Sequence, residues 1–373
     1  MKKVCSSITF IAIVFVMLLL VGCNLGHKHN FVNYIPNNDA TCTVDGTKTG
    51  KCSCGETNTI IDKWTVSHTD RNGVCSVCGT KLYTPGIKFS LDIFNPSTYF
   101  VSGYEGTETE VVLPSTYKGK KVTRIGGAAF SERADLKKIV ISNGITEIGP
   151  FAFYNCVGLT DVEIPHSLRI IKDHAFANCY SLFEITIPSG VDEISFSAFS
   201  KCTNLTNITI PDTVSKIGNS AFSWCTSLKN IKIPNSVTSI ENFVFDGCIN
   251  LESVDIPSSV TSVGDGAFSD CTKLNEIILP SEVAIIGDYA FSGCKKMTKI
   301  TIPNNVSRIG YSAFSDCSSL EKIIIPIHVA SIGHDAFYGC SSLRIYCEAK
   351  QQPTGWEEGW NSSCCSVRWN YSN

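Results

Sequence analysis

The stretch CTNLTNITIPDTVSKIGNSAFS, residues 202–223, decides the fold of this 373-residue chain. Because side chains alternate between the two faces of a strand, its LxxIxI pattern predicts a short strand with Ile208 and Ile210 pointing inward and Thr209 pointing outward. Pro211 then ends the strand, since proline has no N–H to donate to a neighbouring strand. The pattern therefore predicts one strand on one side of a compact coil.

The remainder of the stretch brings the chain back to the side where it began. Val214 and Ile217 are predicted to turn inward again, and Gly218 to permit a sharp corner. Ala221 and Phe222 then close the core of the coil. A single coil cannot bury these groups alone, so its stability has to come from stacking on neighbouring coils.

The same unit recurs along most of the chain at a step of 23 residues. Phenylalanines keep this step over residues 130–337, prolines over residues 165–326 and cysteines over residues 156–340. Self-similarity at a fixed period of this length is the sequence signature of a solenoid. We predict one continuous stack of ten coils over residues 122–347.

The repeat pattern resembles that of the BspA-like, or Treponema-type, leucine-rich repeat family of bacterial surface lipoproteins, over roughly residues 112–347. The resemblance implies a repeat solenoid in which a right-handed coil places a parallel β-sheet on its concave face. Residues 85–121 alternate apolar and polar and are interpreted as a β-rich N-terminal cap, and residues 348–373 resemble the family's C-terminal cap. The sequence departs from the repeat pattern at Arg133, Ser142, Lys172, Ser195, Glu241 and Met297.

Nine cysteines share one register of the repeat, which raises the question of disulfides. Neighbouring coils are expected about 4.8 Å apart, within reach of a bridge. However, side chains in one register point in parallel rather than towards each other, and an odd number leaves one thiol over. We interpret these cysteines as buried free thiols, since free cysteine is among the residue types most often buried.

The first 23 residues have the features of a targeting segment. Lys2 and Lys3 precede an apolar run over residues 8–21, which is too short to span a bilayer comfortably but suits a signal peptide. The run ends in Leu-Val-Gly-Cys23, which resembles the lipobox of bacterial lipoproteins. The resemblance implies a lipoprotein signal peptide over residues 1–23, lipidation of Cys23, and a protein anchored to the outside of the bacterial membrane at the cell surface.

Residues 24–84 are predicted to form a small Cys/His-rich, zinc-ribbon-like module. Cys75-Ser-Val-Cys78-Gly has the form of a zinc knuckle, and Cys52-Ser-Cys54-Gly is a shortened copy. Disulfides are the alternative outside the cytoplasm, and spacing alone does not decide between the two. A catalytic metal is disfavoured, because so many ligands suggest closed coordination. Candidate ligands of a structural zinc are His29, Cys42, Cys52, Cys54, His68, Cys75 and Cys78.

Composition and motifs narrow the class of function. With 43% hydrophobic and 17% charged residues the chain forms a core, and its net charge of −3 gives no reason to expect a nucleic-acid partner. The chain has neither a G-x-S-x-G motif nor a phosphate-binding loop. Carboxylates on an open sheet also stay hydrated, without the raised pKa of a general acid. We therefore predict that the protein is not an enzyme.

The outward-facing strand residues are the predicted binding site, because solenoids of this type use the concave face. The family resemblance implies surface binding or adhesion, with a protein or glycan as the ligand. A purely structural spacer is the alternative, and a surface carbohydrate-active enzyme is a less favoured one. Candidate ligand-binding residues are Asp161, Glu163, Glu184, Lys232, Asp255, Ile278 and Ile324.

Overall fold

The computed structural model describes residues 83–372 throughout, and before them only five strands. The chain divides into two compact units, Met1–Asp70 with Cys75–Thr80, and Arg71–Val74 with Lys81–Asn373. Within the described part of the chain there is no α-helix, and hence none that could cross a bilayer. The five early strands are β1 (Val32–Pro36), β2 (Gly46–Lys51), β3 (Thr57–Asp62), β4 (Asp70–Arg71) and β5 (Val74–Cys75).

The early strands form two small sheets. Strands β1, β2 and β3 make an antiparallel sheet in that order, and β4 pairs with β5. The larger unit begins with β6 (Ile87–Leu91), β7 (Thr98–Tyr104), β8 (Glu110–Val112), β9 (Thr116–Tyr117) and β10 (Lys120–Ile125).

Each repeat then contributes two short strands on opposite sides of the coil. The LxxIxI strands are β11 (Lys138–Val140), β13 (Asp161–Glu163), β15 (Glu184–Thr186), β17 (Asn207–Thr209), β19 (Asn230–Lys232), β21 (Ser253–Asp255), β23 (Glu276–Ile277), β25 (Lys299–Ile300), β27 (Lys322–Ile325) and β29 (Arg344–Cys347), followed by β30 (Ser366–Arg368). The return strands are β12 (Glu147–Ile148), β14 (Ile170–Ile171), β16 (Glu193–Ile194), β18 (Lys216–Ile217), β20 (Ser239–Ile240), β22 (Ser262–Val263), β24 (Ile285–Ile286), β26 (Arg308–Ile309) and β28 (Ser331–Ile332).

The predicted leucine-rich repeat solenoid is confirmed by the way these strands pair. All pairs between repeats are parallel, and each residue faces its counterpart one coil away, as Asn207 faces Glu184. The stack extends beyond the ten predicted coils at both ends. Strand β8 pairs with β11 and β10 with β12, while β30 pairs with β29.

A column of ten phenylalanine rings runs through the core at a step of 23 residues, and all ten are buried. Neighbouring rings lie nearly parallel, with centroids 5.1–5.9 Å apart. Tyr104 packs on the first ring, Phe130, and Trp360 packs edge-on against the last, Phe337. Aromatic pairs at these distances add to the stability gained from burying the rings.

The nine repeat cysteines are fully buried free thiols, as predicted. Each thiol donates to the carbonyl oxygen of the core phenylalanine of the coil before, as Cys225 Sγ does to Phe199 O at 3.2 Å. Burial raises the pKa of Cys156 and Cys202 to about 12, and that of Cys225 well above its ordinary value. These residues cap backbone carbonyls inside the stack and have no thiolate character at neutral pH.

The corner of each coil is tight for a different reason from the one predicted. A Cβ on Gly218 would lie 2.7 Å from the backbone carbonyl carbon of Ser195 in the coil before, so the glycine is needed for close approach. Left-handed backbone occurs two residues later, at Ser220, where φ is 57°. The ladder of return strands is interrupted between β18 and β20, next to Glu241, which replaces a corner glycine.

Candidate functional site

The outward side chains of the LxxIxI strands, β11 to β30, form one surface, which we call the strand face. Five of the predicted ligand-binding residues are exposed on it, Ile278 is 75% exposed, and Ile324 is half-buried. They do not converge on one point, because Asp161 and Ile324 lie seven coils apart, or roughly 34 Å at about 4.8 Å per coil. The five exposed residues are Asp161, Glu163, Glu184, Lys232 and Asp255.

The carboxylates at the N-terminal end of the strand face are paired with a cation. Lys138 Nζ lies 2.7 Å from Asp161 Oδ2 and also contacts Glu163 Oε1. Hydrogen bonds from Lys138, to Asp161 first and then to Glu163, raise the pKa of the lysine. An exposed lysine between two carboxylates favours their charged form, so this group lacks the protonated acid that glycosidase chemistry requires.

The ladder of LxxIxI strands is interrupted at regular intervals. Strands β8, β11 and β13 form one sheet, β15 and β17 a second, β19 and β21 a third, and β23 to β30 a fourth. Within a pair the ladder is intact, since Ile187 N donates to Thr209 O at 3.0 Å and Ile233 N to Asp255 O at 2.9 Å. The interruptions after β13, β17 and β21 fall two coils apart.

Each interruption opens a cleft with an aliphatic floor. The cleft between β13 and β15 has a volume of about 580 Å³, the one at β17 about 430 Å³ and the one between β21 and β23 about 480 Å³. Side chains that are half-buried at these clefts are fully buried at equivalent positions elsewhere, as Ile185 and Ile231 are. The half-buried residues are Val162, Ile164, Ile208, Ile210, Val254 and Ile256.

A basic and aromatic group at the C-terminal end of the strand face was not among the predicted site residues. Lys299, Lys322 and Arg344 face one another in successive strands. Lys322 Nζ lies 4.8 Å from the ring centroid of Tyr346 and 5.3 Å from that of Tyr371. Because Arg344 follows Lys322 after only 22 residues, a strict 23-residue register leaves it out of the column.

The other predicted sites lie largely outside the described residues. Cys23 does, as do six of the seven metal-ligand candidates, and the seventh, Cys75, lies in β5 without a described side chain. The lipidation and zinc predictions therefore stay predictions. Among the residues that the structure does describe, no three His, Cys, Asp or Glu side chains converge as a metal site. The six candidates outside are His29, Cys42, Cys52, Cys54, His68 and Cys78.

Comparisons with known proteins agree on the type of repeat. The family described as "BspA type Leucine rich repeat region" matches residues 109–229 and 215–344, in six copies. A leucine-rich repeat protein of T. pallidum is 31% identical, over 51% of this chain and 88% of that one, with a TM-score of 0.48. No curated protein sequence matches the chain significantly, and the comparisons indicate no catalytic family.

Two further solved structures resemble the chain over more of its length. A leucine-rich repeat protein from Bacteroides ovatus is 26% identical, over 76% of this chain and 98% of that one, with a TM-score of 0.40. A leucine rich cell surface protein from Faecalibacterium prausnitzii is also 26% identical, over 77% of this chain and 97% of that one, with a TM-score of 0.37.

Proposed function

Because the chain belongs to the BspA-type leucine-rich repeat family, we propose that it is a cell-surface binding or adhesion protein whose strand face holds a protein or glycan ligand. The description of the Faecalibacterium prausnitzii protein as a cell surface protein supports the location. The family is a repeat family, and the described strand face carries no paired acid and base. Binding is therefore the activity that this surface favours.

The observation that carries this proposal is the set of aliphatic clefts along the strand face. Their volumes, 430–580 Å³, lie within the range of ligand pockets in proteins, and each has polar side chains at its rim. Ile278 stands 75% exposed beside the cleft between β21 and β23. A spacer gains nothing from apolar surface that water must hydrate, whereas a binding surface gains affinity when a ligand covers it.

Binding of a ligand should depend on Ile278 and Lys232. The chain would be screened against host matrix proteins and glycans, and the ligand's affinity measured for Ile278→Asp and Lys232→Glu. We expect each change to weaken binding by roughly tenfold, the effect of removing an interface anchor. The free energy of unfolding should change by less than about 0.5 kcal/mol, because both side chains are exposed.

The matched control is Tyr338→Ser, which removes an exposed aromatic side chain next to the phenylalanine column and off the strand face. This variant should bind as the parent protein does. If no matrix protein or glycan binds the parent chain, or if Tyr338→Ser weakens binding as much as Ile278→Asp, the proposal is wrong and the spacer is favoured.

We also propose that two acyl chains on Cys23 anchor the protein to the outside of the membrane, and that zinc holds the Cys/His-rich module, with disulfides as the alternative. Cys23→Ala should move the protein from the membrane fraction to the soluble fraction, because each buried methylene contributes about 0.8 kcal/mol to anchoring. The measurement is cell fractionation together with incorporation of labelled fatty acid. Cys5→Ala, which changes the other cysteine of the leader, should leave both unchanged, and continued labelling of Cys23→Ala would contradict the anchor.

A further inference from the structure

Three cations on the strand face lie in direct register without an anionic partner. Lys299 faces Lys322, and Lys322 faces Arg344, across successive parallel strands. All three are exposed, and between residues 83 and 372 none of them forms a salt bridge. Like charges directly opposite each other destabilise a sheet, so this row lowers the stability of the free protein.

The row continues into an ordered aromatic group. Tyr346 faces Arg368 on the next strand, and the rings of Tyr346 and Tyr371 meet edge-to-face at 4.8 Å. Lys322 Nζ donates to Tyr371 Oη at 3.5 Å. Contacts with the rings hold the Lys322 ammonium group in place, so that less side-chain entropy is lost when an anion binds.

Acidic side chains near the row lie at its edges. Glu276 faces Lys299 from the preceding strand, and Glu321 and Glu348 line the cleft of about 500 Å³ between β25 and β27. Glu348 already accepts a hydrogen bond from the backbone N–H of Ile327. From β25 to β30 no outward strand residue is acidic, so the C-terminal end of the strand face is basic although the whole chain is not.

We infer that this basic row, defined as Lys299, Lys322, Arg344 and Arg368 with Tyr346 and Tyr371, binds an acidic glycan carrying sulfate or carboxylate groups. The inference rests on the proposed binding function and names the ligand class at this end of the face. Arginine and lysine pair with sulfate and carboxylate oxygens, and tyrosine rings present apolar faces to sugar rings.

The geometry favours a glycan over other polyanions. Side chains on one side of an extended acidic peptide recur about every 6.7 Å, whereas the cations recur about every 4.8 Å along the stack. Double-stranded DNA is read by elements that enter its grooves, and a flat parallel sheet offers none. A flexible chain of sugars can instead lie along the row and place its anionic groups beside successive cations.

The test measures binding of heparin oligosaccharides to the full chain by calorimetry and by salt elution from a heparin column. We expect Lys322→Gln with Arg344→Gln to reduce affinity about tenfold or more, since hydrogen bonds to charged groups contribute strongly. The matched control, Lys295→Gln with Lys296→Gln, removes the same charge from exposed turn residues and should change affinity less than about twofold. Desulfated heparin should bind the parent chain weakly or not at all.

Equal loss of heparin binding in the two double variants would overturn the inference, since only net charge would then matter. Equal binding of duplex DNA and heparin would overturn the glycan class. A parent chain that ignores heparin but binds another ligand through Ile278 would refute the basic row and leave the proposed function standing. Heparin binding that depends on Lys322 and Arg344 but not on Ile278 would support the row alone.

Discussion

Raising the pH from about 7 to about 10 in the presence of a reductant is expected to unfold the solenoid. The nine repeat thiols are neutral in the stack, where burial raises their pKa to about 12, as for Cys202, or higher. In the unfolded chain a cysteine titrates near 8.5. Because the folded-state pKa is the higher one, the stability contributed by neutral thiols is complete below about pH 8.5 and is lost as the pH rises.

The size of this effect follows from the two pKa values. At pH 10 each thiol favours unfolding by about 2 kcal/mol, and nine of them by roughly 18 kcal/mol, which exceeds the stability of ordinary domains. Denaturant titrations at several pH values would measure the slope of the unfolding free energy against pH. Cys225→Ala with Cys248→Ala should lower the number of protons released on unfolding by two. A free energy of unfolding that stays constant up to pH 10 would refute the prediction.

Replacing Phe222 by alanine is expected to reduce the free energy of unfolding by about 3–5 kcal/mol, the usual loss for a buried aromatic side chain. The Phe222 ring is fully buried between Phe199 and Phe245, with centroids 5.7 and 5.9 Å away. The same coil borders the interruption between β18 and β20. Because each coil is stabilised by its neighbours alone, we also expect the two halves to unfold in separate transitions.

Two controls separate these effects. Phe153→Ala removes an equally buried ring where the ladder of return strands is continuous, so it should cost a similar free energy within a single transition. Phe94→Ala removes a ring that is 89% exposed and should change stability by less than about 0.5 kcal/mol. Urea unfolding followed by circular dichroism measures all three variants. A loss below about 1 kcal/mol for Phe222→Ala would mean that the column is not the core.

The core and the strands could be predicted because every coil repeats the same physical problem. Ile208 and Thr209 take opposite sides as strand alternation requires, and Phe222 and Cys225 lie inside because their register never admits a charged residue. The outward positions of Asp161 and Ile278 followed from the same alternation. Ten near-copies of one pattern make the assignment far more certain than a single copy would.

Other features depend on contacts between coils and leave no mark in one coil's sequence. Phe243 and Tyr289 adopt left-handed backbone, with φ of 57° and 56°, where glycine or asparagine would be expected. Their N–H groups donate to Asp265 O and Tyr311 O of the next coil, which stabilises the unusual conformation. The clefts were equally unreadable, because paired and unpaired strands carry the same aliphatic residue types.

The aromatic ends of the stack determine how the protein behaves towards its own copies. Identical coils have no inherent length limit, and an uncovered terminal coil would template end-to-end polymerisation into filaments. Tyr104 covers Phe130 at one end, and Trp360 covers Phe337 at the other. Trp356, which is buried and donates to Val329 O, packs against Trp360. These residues keep each molecule a separate particle that presents a single binding surface of fixed length.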